Sequence, residues 1–174
     1  MTNHTTPSIS ATLGLIAGGL SLPLEMVPLL RKAGAQKLVV VAFEGETDPA
    51  LENMVDEMTW LRVGQLSKMI RYFKSHGVTQ CIMAGRIAPK NLFDVKPDLR
   101  AAALLFRLKE KNAHTIFGGI GDELKRDGIH LISAVPWIED IMPVEGFSLG
   151  KSLNAKQSED VSFGVKLAKE VSRL

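Results

Sequence analysis

Leu13-Gly14-Leu15-Ile16-Ala17 is an unbroken apolar run that ends in Gly18-Gly19-Leu20-Ser21-Leu22-Pro23. A short run with no polar residue at alternate positions predicts a strand buried on both faces, the kind found in parallel sheets. Ser21 is placed to cap a helix, and Pro23 sits near the first turn, where a missing N–H does no harm. That helix is expected to reach about Ala33 and stop at Gly34, with Pro28 kinking or breaking it. A strand feeding a glycine turn and then a helix places the turn at the sheet edge where parallel α/β folds bind ligands. Gly18 and Gly19 are therefore candidates for cradling an anion. Residues without Cβ let backbone N–H groups approach it, and the helix dipole adds to the attraction.

The pattern recurs. Lys37–Phe43 (KLVVVAF), Met58–Val63 and Thr79–Ala84 (TQCIMA) read as further strands. A short helix beginning near Pro49 and an amphipathic helix over Gly64–His76 lie between them. After Asp94 the pattern turns helical, over Asp98–Lys111 and about Thr115–Arg126. His130–Ala134 reads as a last strand, Pro136–Met142 as a short helix, and Gln157–Leu174 as a helix with Val161, Val165, Ala168 and Val171 on one stripe. Strand–helix alternation with short connections predicts a Rossmann-like three-layer α/β sandwich with a mainly parallel sheet of about five strands. The expected organisation is a flexible tail over 1–12, a domain over 13–135 and a helical extension over 136–174.

Three further loops fall on the edge that carries Gly18. Thr47 and Asp48 follow the second strand, where capping a helix explains them at least as well as ligand contact. Gly64-Gln65 follows the third, and Gln65 can donate to and accept from a base or sugar. Gly85-Arg86 follows the fourth; the guanidinium fork suits phosphate oxygens, and a surface ion pair is the competing account. Gly18, Gly19, Thr47, Gln65, Gly85 and Arg86 are the expected substrate-binding set.

Other chemistries find less support. The dinucleotide pattern G-x-G-x-x-G is not met by Gly14, Gly18 and Gly19, although Glu44 stands where a ribose-binding acid would. The phosphate loop GxxxxGK[ST] is absent. His4, His76, His114 and His130 have no ligand spacing. Asp122-Glu123 and Glu139-Asp140 read as solvated helix faces. No general base, nucleophile or metal set emerges, so the catalytic residues stay unassigned. With 21 Lys and Arg against 19 Asp and Glu and no block of like charge, nucleic acid is not an expected partner. The single cysteine, Cys81, lies in an apolar run; it reads as buried and fits a reducing cytoplasm. No stretch approaches the roughly 20 apolar residues of a membrane-spanning helix. The first twelve residues lack the apolar run of a signal peptide.

The segments GLIAGG…LP at 14–23, VVVAFEGETDPAL at 39–51, VGQLSKMIRYFKSHGV at 63–78 and CIMAGRIAPKNLFDVKPDLRA at 81–101 resemble the LpxI family of UDP-2,3-diacylglucosamine pyrophosphatases in order and spacing. Weaker similarity continues through LISAVPWIEDIMPVEG at 131–146 and SEDVSFGVKLAKEVSRL at 158–174. The resemblance implies a bacterial hydrolase of lipid A biosynthesis. Such enzymes cleave UDP-2,3-diacylglucosamine to lipid X and UMP by attack of water on the α-phosphorus, with Mg²⁺. It also implies a cytoplasmic location, docked peripherally on the inner membrane, with the lipid substrate held between an N-terminal Rossmann-like domain and a C-terminal domain carrying the essential acids. This chain then corresponds to the substrate-binding half, leading into a C-terminal domain that lies beyond it. Asn112-Ala113-His114-Thr115 stands where family members carry an Asp-Asp pair. Two alternatives follow: a catalytically inactive module that binds a nucleotide-sugar or lipid phosphate, and an NAD(P)-dependent reductase. The apolar stripe of the last helix carries an expectation of self-association as a homo-oligomer.

Overall fold

The strands predicted over Leu13–Ala17 and Lys37–Phe43 fall where backbone pairing buries them on both faces, while the outer ones are only partly covered. The computed structural model describes residues 8–87, 96–110, 112–144, 147 and 149–172. Its strands are β1 (Thr12–Ala17), β2 (Lys37–Phe43), β3 (Glu57–Leu61), β4 (Gln80–Ala84) and β5 (His130–Leu131). Its helices are α1 (Leu22–Lys32), α2 (Leu66–Ser75), α3 (Leu99–Arg107), α4 (Ala113–Arg126), α5 (Val135–Ile138) and α6 (Ala155–Val171), with a 3₁₀ turn over Pro49–Met54. The strands form one parallel sheet in the order β3-β2-β1-β4-β5. β1 is central, with Ala17 opposite both Ala42 and Ala84.

Alternate residues of the strands feed two cores. Ile16, Val39, Val41 and Cys81 pack with Met69, Ile70 and Phe73 of α2, Leu104 of α3 and Leu124 of α4. Leu13, Leu15, Val40 and Ile82 pack with Met26, Val27 and Leu30 of α1 and Trp137 of α5. Each fully buried side chain of this size contributes about 1.5–3 kcal/mol relative to exposure. Ser10, placed in the tail by sequence, is tied to β4: its N–H donates to the Gln80 side-chain oxygen at 2.7 Å. The Ala11 carbonyl accepts from the Gln36 and Lys37 N–H groups at 2.8 Å each.

Several local expectations are corrected. Pro28 does not break α1, which runs on to Lys32, because Pro28 lies on the exposed side of the helix. Ser21 is the N-cap residue, but its side chain makes no capping hydrogen bond. β5 has only two residues, paired with Gln80 and Cys81, because the chain turns into α5 soon afterwards. α3 ends at Arg107, where Leu108 turns extended with ψ 123°. The Asn112–Thr115 stretch is a helix start: the Asn112 side chain accepts from the Thr115 N–H at 2.9 Å.

The chain divides into two units, the first ending at Asp140 and the second running from Ile141. Within the second unit α6 opens on a reciprocal capping box between Asn154 and Gln157. Its apolar side chains, among them Val161, Phe163 and Leu167, are exposed. Among the described residues no helix is long and apolar enough to cross a membrane.

Candidate functional site

The chain passes from β1 outward to β2 and β3, then crosses back to β4 on the other side of β1. The strand order therefore reverses between β1 and β4. Parallel α/β sheets bind ligands in the crevice that opens at the strands' C-terminal ends at such a reversal. Gly18-Gly19 leaves β1 there, and Gly85-Arg86 leaves β4 beside it.

The two loops are joined backbone to backbone. Gly18 N–H donates to Ala84 O at 2.8 Å, Gly19 N–H to Arg86 O at 2.7 Å, and Arg86 N–H to Gly19 O at 3.2 Å. Gly19 and Arg86 form an isolated antiparallel bridge. A Cβ on Gly18 would lie 2.7 Å from Arg86 O, and one on Gly19 would lie 2.8 Å from Glu46 O. Gly85 has φ +85°, and its Cβ would stand 2.6 Å from Gly19 O. These glycines let three loops touch through their main chains. The Gly18 and Gly19 N–H groups, expected to face an anion, donate instead to carbonyls of the neighbouring strand and loop.

Immediately beyond the bridge, Leu20 adopts φ 69° and is 68% exposed. A branched apolar residue in the left-handed region is strained, at a level of about 1–2 kcal/mol. The strain turns the chain sharply from the bridge into α1. In that helix Pro23 has no N–H and the Glu25 N–H donates to Ser21 O at 3.1 Å, so Leu22 and Leu24 carry the N–H groups without an intrahelical acceptor, and the Ser21 side chain does not cap them.

Thr47 is buried beneath the same loops. Its hydroxyl donates to Ala17 O at 2.6 Å and accepts from Phe43 N–H at 2.9 Å, tying the end of β1 to the end of β2. Asp48 caps the 3₁₀ turn by accepting from Ala50 N–H at 2.9 Å. Gln65, beyond β3, uses its side-chain oxygen to accept from Arg62 N–H at 3.1 Å. It follows the edge strand, two strands from β1 and about 10 Å away by sheet spacing. The structure thus gathers Gly18, Gly19, Thr47, Gly85 and Arg86 around one point and leaves Gln65 to the side. Arg86 is exposed and makes no ion pair among the described residues.

Two carboxylates carry structural weight that the sequence reading missed. Asp98 accepts from Ser67 N–H at 2.6 Å and from Ala101 N–H at 2.9 Å, so one side chain caps both α2 and α3. An aspartate directly before an apolar helical run was the available signal for the second of these bonds. Glu123, expected on a solvated face, is 3% exposed and is held by three arginines. Arg100 Nε reaches it at 2.6 Å and Arg126 at 2.5 Å, and Arg107 makes a third, short contact. Arg100 and Lys74 also bind Asp127, at 2.6 and 2.9 Å. Burial alone would raise the Glu123 pKa, but hydrogen bonds from Arg100 and Arg107 and the charges of Arg100 and Arg126 carry it below the ordinary carboxylate value. This network clamps α3 to α4. Cys81 is buried as expected, and burial pushes its thiol pKa up to about 12. Among the described residues no three His, Cys, Asp or Glu side chains converge to hold a metal ion.

The family model described as the LpxI N-terminal domain matches residues 12–141. The chain is also similar to UDP-2,3-diacylglucosamine pyrophosphatase LpxI of Caulobacter vibrioides, with 25% identity over 166 residues. That alignment takes in 93% of this chain and 58% of the relative, so the chain spans a little over half the relative's length.

Proposed function

The chain belongs to the LpxI N-terminal domain family, and on that premise we propose that it forms the substrate-binding half of a UDP-2,3-diacylglucosamine pyrophosphatase of lipid A biosynthesis. The observation that carries the reading is the bridge between Gly19 and Arg86, which fixes the backbone of a cation beside the first turn of α1 at the sheet's reversal point. Arg86 and the first-turn N–H groups of α1 meet the phosphate oxygens of a nucleotide-sugar lipid. Gly18, Gly19 and Gly85 shape the floor through close backbone contact. Thr47 holds that floor rigid from below, and Gln65 supplies a polar contact at the side. The acyl chains of such a substrate would bring the protein to a cytoplasmic membrane surface.

No step of this reading passes through Mg²⁺. The carboxylates for Mg²⁺-dependent hydrolysis are assigned to the part of a longer polypeptide corresponding to the remainder of the relative. A second reading, a binding module without turnover, is favoured by Asn112-Ala113-His114-Thr115. That stretch stands where the family pattern has two acids, and it serves as the N-cap of α4.

The test is titration of the protein with UDP and with lipid X, repeated on Arg86→Ala. Loss of a charge-assisted hydrogen bond removes about 1.5–3 kcal/mol, roughly tenfold or more in Kd. Unchanged affinity in Arg86→Ala removes Arg86 from the site, and no binding of either ligand removes the substrate assignment. Release of UMP and lipid X from UDP-2,3-diacylglucosamine by the polypeptide as expressed in its source cell, abolished by EDTA, separates the enzyme from the inactive module.

A further inference from the structure

β3 is the outer strand of the sheet, and among the described residues no strand pairs with its free side. The Leu61 carbonyl accepts from Glu44 N–H at 2.9 Å, so Leu61 turns its backbone groups toward β2. By strand alternation Thr59 and Glu57 do the same, and Met58 and Trp60 turn theirs outward. Arg62 is the next outward position, and its N–H is already taken by the Gln65 side chain at 3.1 Å. The free edge is therefore a short segment presenting the N–H and C=O of Met58 and Trp60. It ends at a side-chain stop.

Beside this edge lies an open groove of about 410 Å³, lined by Thr59, Leu61, Lys68, Arg71, Tyr72 and Ser75. Lys68 and Arg71 are exposed and, among the described residues, neither enters an ion pair, and Arg62 at the end of the strand likewise has none. Glu57, on the same sheet face as Thr59, is already engaged by Lys37 at 3.3 Å and His76 at 3.8 Å. The groove thus carries uncompensated positive charge alongside unused backbone donors and acceptors.

We propose that the outer edge of β3, together with Lys68 and Arg71 of α2, docks an extended acidic segment of a partner protein by strand addition. An added strand would bond to Met58 and Trp60, and its alternate side chains would point over the groove about 7 Å apart. Lys68 and Arg71 are three residues apart on one helix face, about 5–6 Å between Cβ atoms, which matches that repeat. Acidic residues at alternate positions of the incoming strand would each meet one cation. A second copy of this chain fits poorly, because pairing β3 with itself brings the two cationic grooves together.

The probe is an acetylated octapeptide of alternating Glu and Val, with its Lys-Val counterpart as the charge-reversed control. Hydrogen exchange read by NMR should show the Met58 and Trp60 amides slowed by the Glu-Val peptide and untouched by the Lys-Val peptide. The double variant Lys68→Glu/Arg71→Glu changes two exposed side chains, and its circular dichroism should match the parent. It should bind the Glu-Val peptide about tenfold more weakly, the scale of two exposed ion pairs, and should now protect the same amides with Lys-Val. Unslowed Met58 and Trp60 exchange at millimolar Glu-Val peptide overturns the proposal, as does protection that the double variant leaves unchanged. Binding to phosphatidylserine vesicles that the double variant loses, with no peptide protection, would assign the surface to anionic lipid and overturn it equally.

Discussion

Gly85→Ala tests whether the β1–β4 bridge depends on close backbone approach. Two effects act at this position. The first is conformational: Gly85 has φ +85°, and placing an L-residue in that region costs about 1–2 kcal/mol. The second is steric: the new Cβ would lie 2.6 Å from Gly19 O, 2.9 Å from the Gly18 carbonyl carbon and 2.9 Å from Pro23 Cγ. Two of these are main-chain atoms, so the loops must separate, and the reciprocal Gly19–Arg86 hydrogen bonds weaken. Each is worth about 0.5–1.5 kcal/mol net. The sum is about 2–5 kcal/mol. Gly45→Ala supplies the reference, because Gly45 has φ +77° with nothing within 4 Å of its added Cβ. That variant should lose only the conformational part, about 1–2 kcal/mol. Both gain equally from a less flexible unfolded chain, so that contribution cancels in the difference. Urea unfolding followed by circular dichroism gives both values by linear extrapolation. A gap of about 1–3 kcal/mol supports the bridge as a steric requirement. Equal destabilisation of the two variants would refute the reasoning, since the loops would then have room for a methyl group.

Two further predictions concern the core. Glu123→Gln should destabilise the protein by about 1–3 kcal/mol, below the range for a fully buried pair, because Arg107 and Arg126 are half exposed and screened. The folded-state pKa values of Glu123, Asp127 and Asp56 are all lowered, so their stabilisation is present above the ordinary values of 4.5, 3.8 and 3.8 and is lost as pH falls through the lowered ones. Urea midpoints should therefore drop below about pH 4, and less steeply in Glu123→Gln; identical acid profiles would remove Glu123 from that balance. The buried Cys81 thiol, with its pKa pushed up to about 12, should resist iodoacetamide at neutral pH in the native protein and react once urea unfolds it.

How much of this was legible in sequence follows from which contacts are local. β1 and β2 show as apolar runs because burial on both faces leaves no polar position along them. β5 was read too long, because an apolar run does not reveal that α5 starts soon after it. Pro28 looked disruptive because sequence does not say which side of a helix faces water. The glycine loops were legible as a place, the C-terminal edge of the sheet, while their backbone contacts were not. Gly18 and Gly19 contact Ala84 and Arg86, and only the strand order makes β4 the neighbour of β1. Glu123 was misread for the same reason: Arg100 and Arg107 reach it from another helix, and an acid beside Asp122 on an amphipathic pattern looks solvated. Asp98 was missed although half its function is local: the cap on its own helix could be read from sequence, and the cap on α2 could not.

The bridge also bears on the nicotinamide reading. In dinucleotide-binding folds the glycines after the first strand leave their backbone open so that a pyrophosphate can approach closely. Here Arg86 O lies 2.7 Å from the Gly19 nitrogen and occupies that approach. Pyrophosphate in the usual position would displace the β4 loop and break the Gly19–Arg86 pair. Glu44 follows β2, where an acid could bind a ribose, but a ribose contact alone cannot anchor a dinucleotide whose pyrophosphate is shut out of the usual glycine position. NADH and NADPH fluorescence should therefore stay unchanged on addition of the protein at millimolar cofactor. Saturable binding of either would show that the bridge opens in solution, and Gly85→Ala, which loosens the same bridge, should then strengthen it.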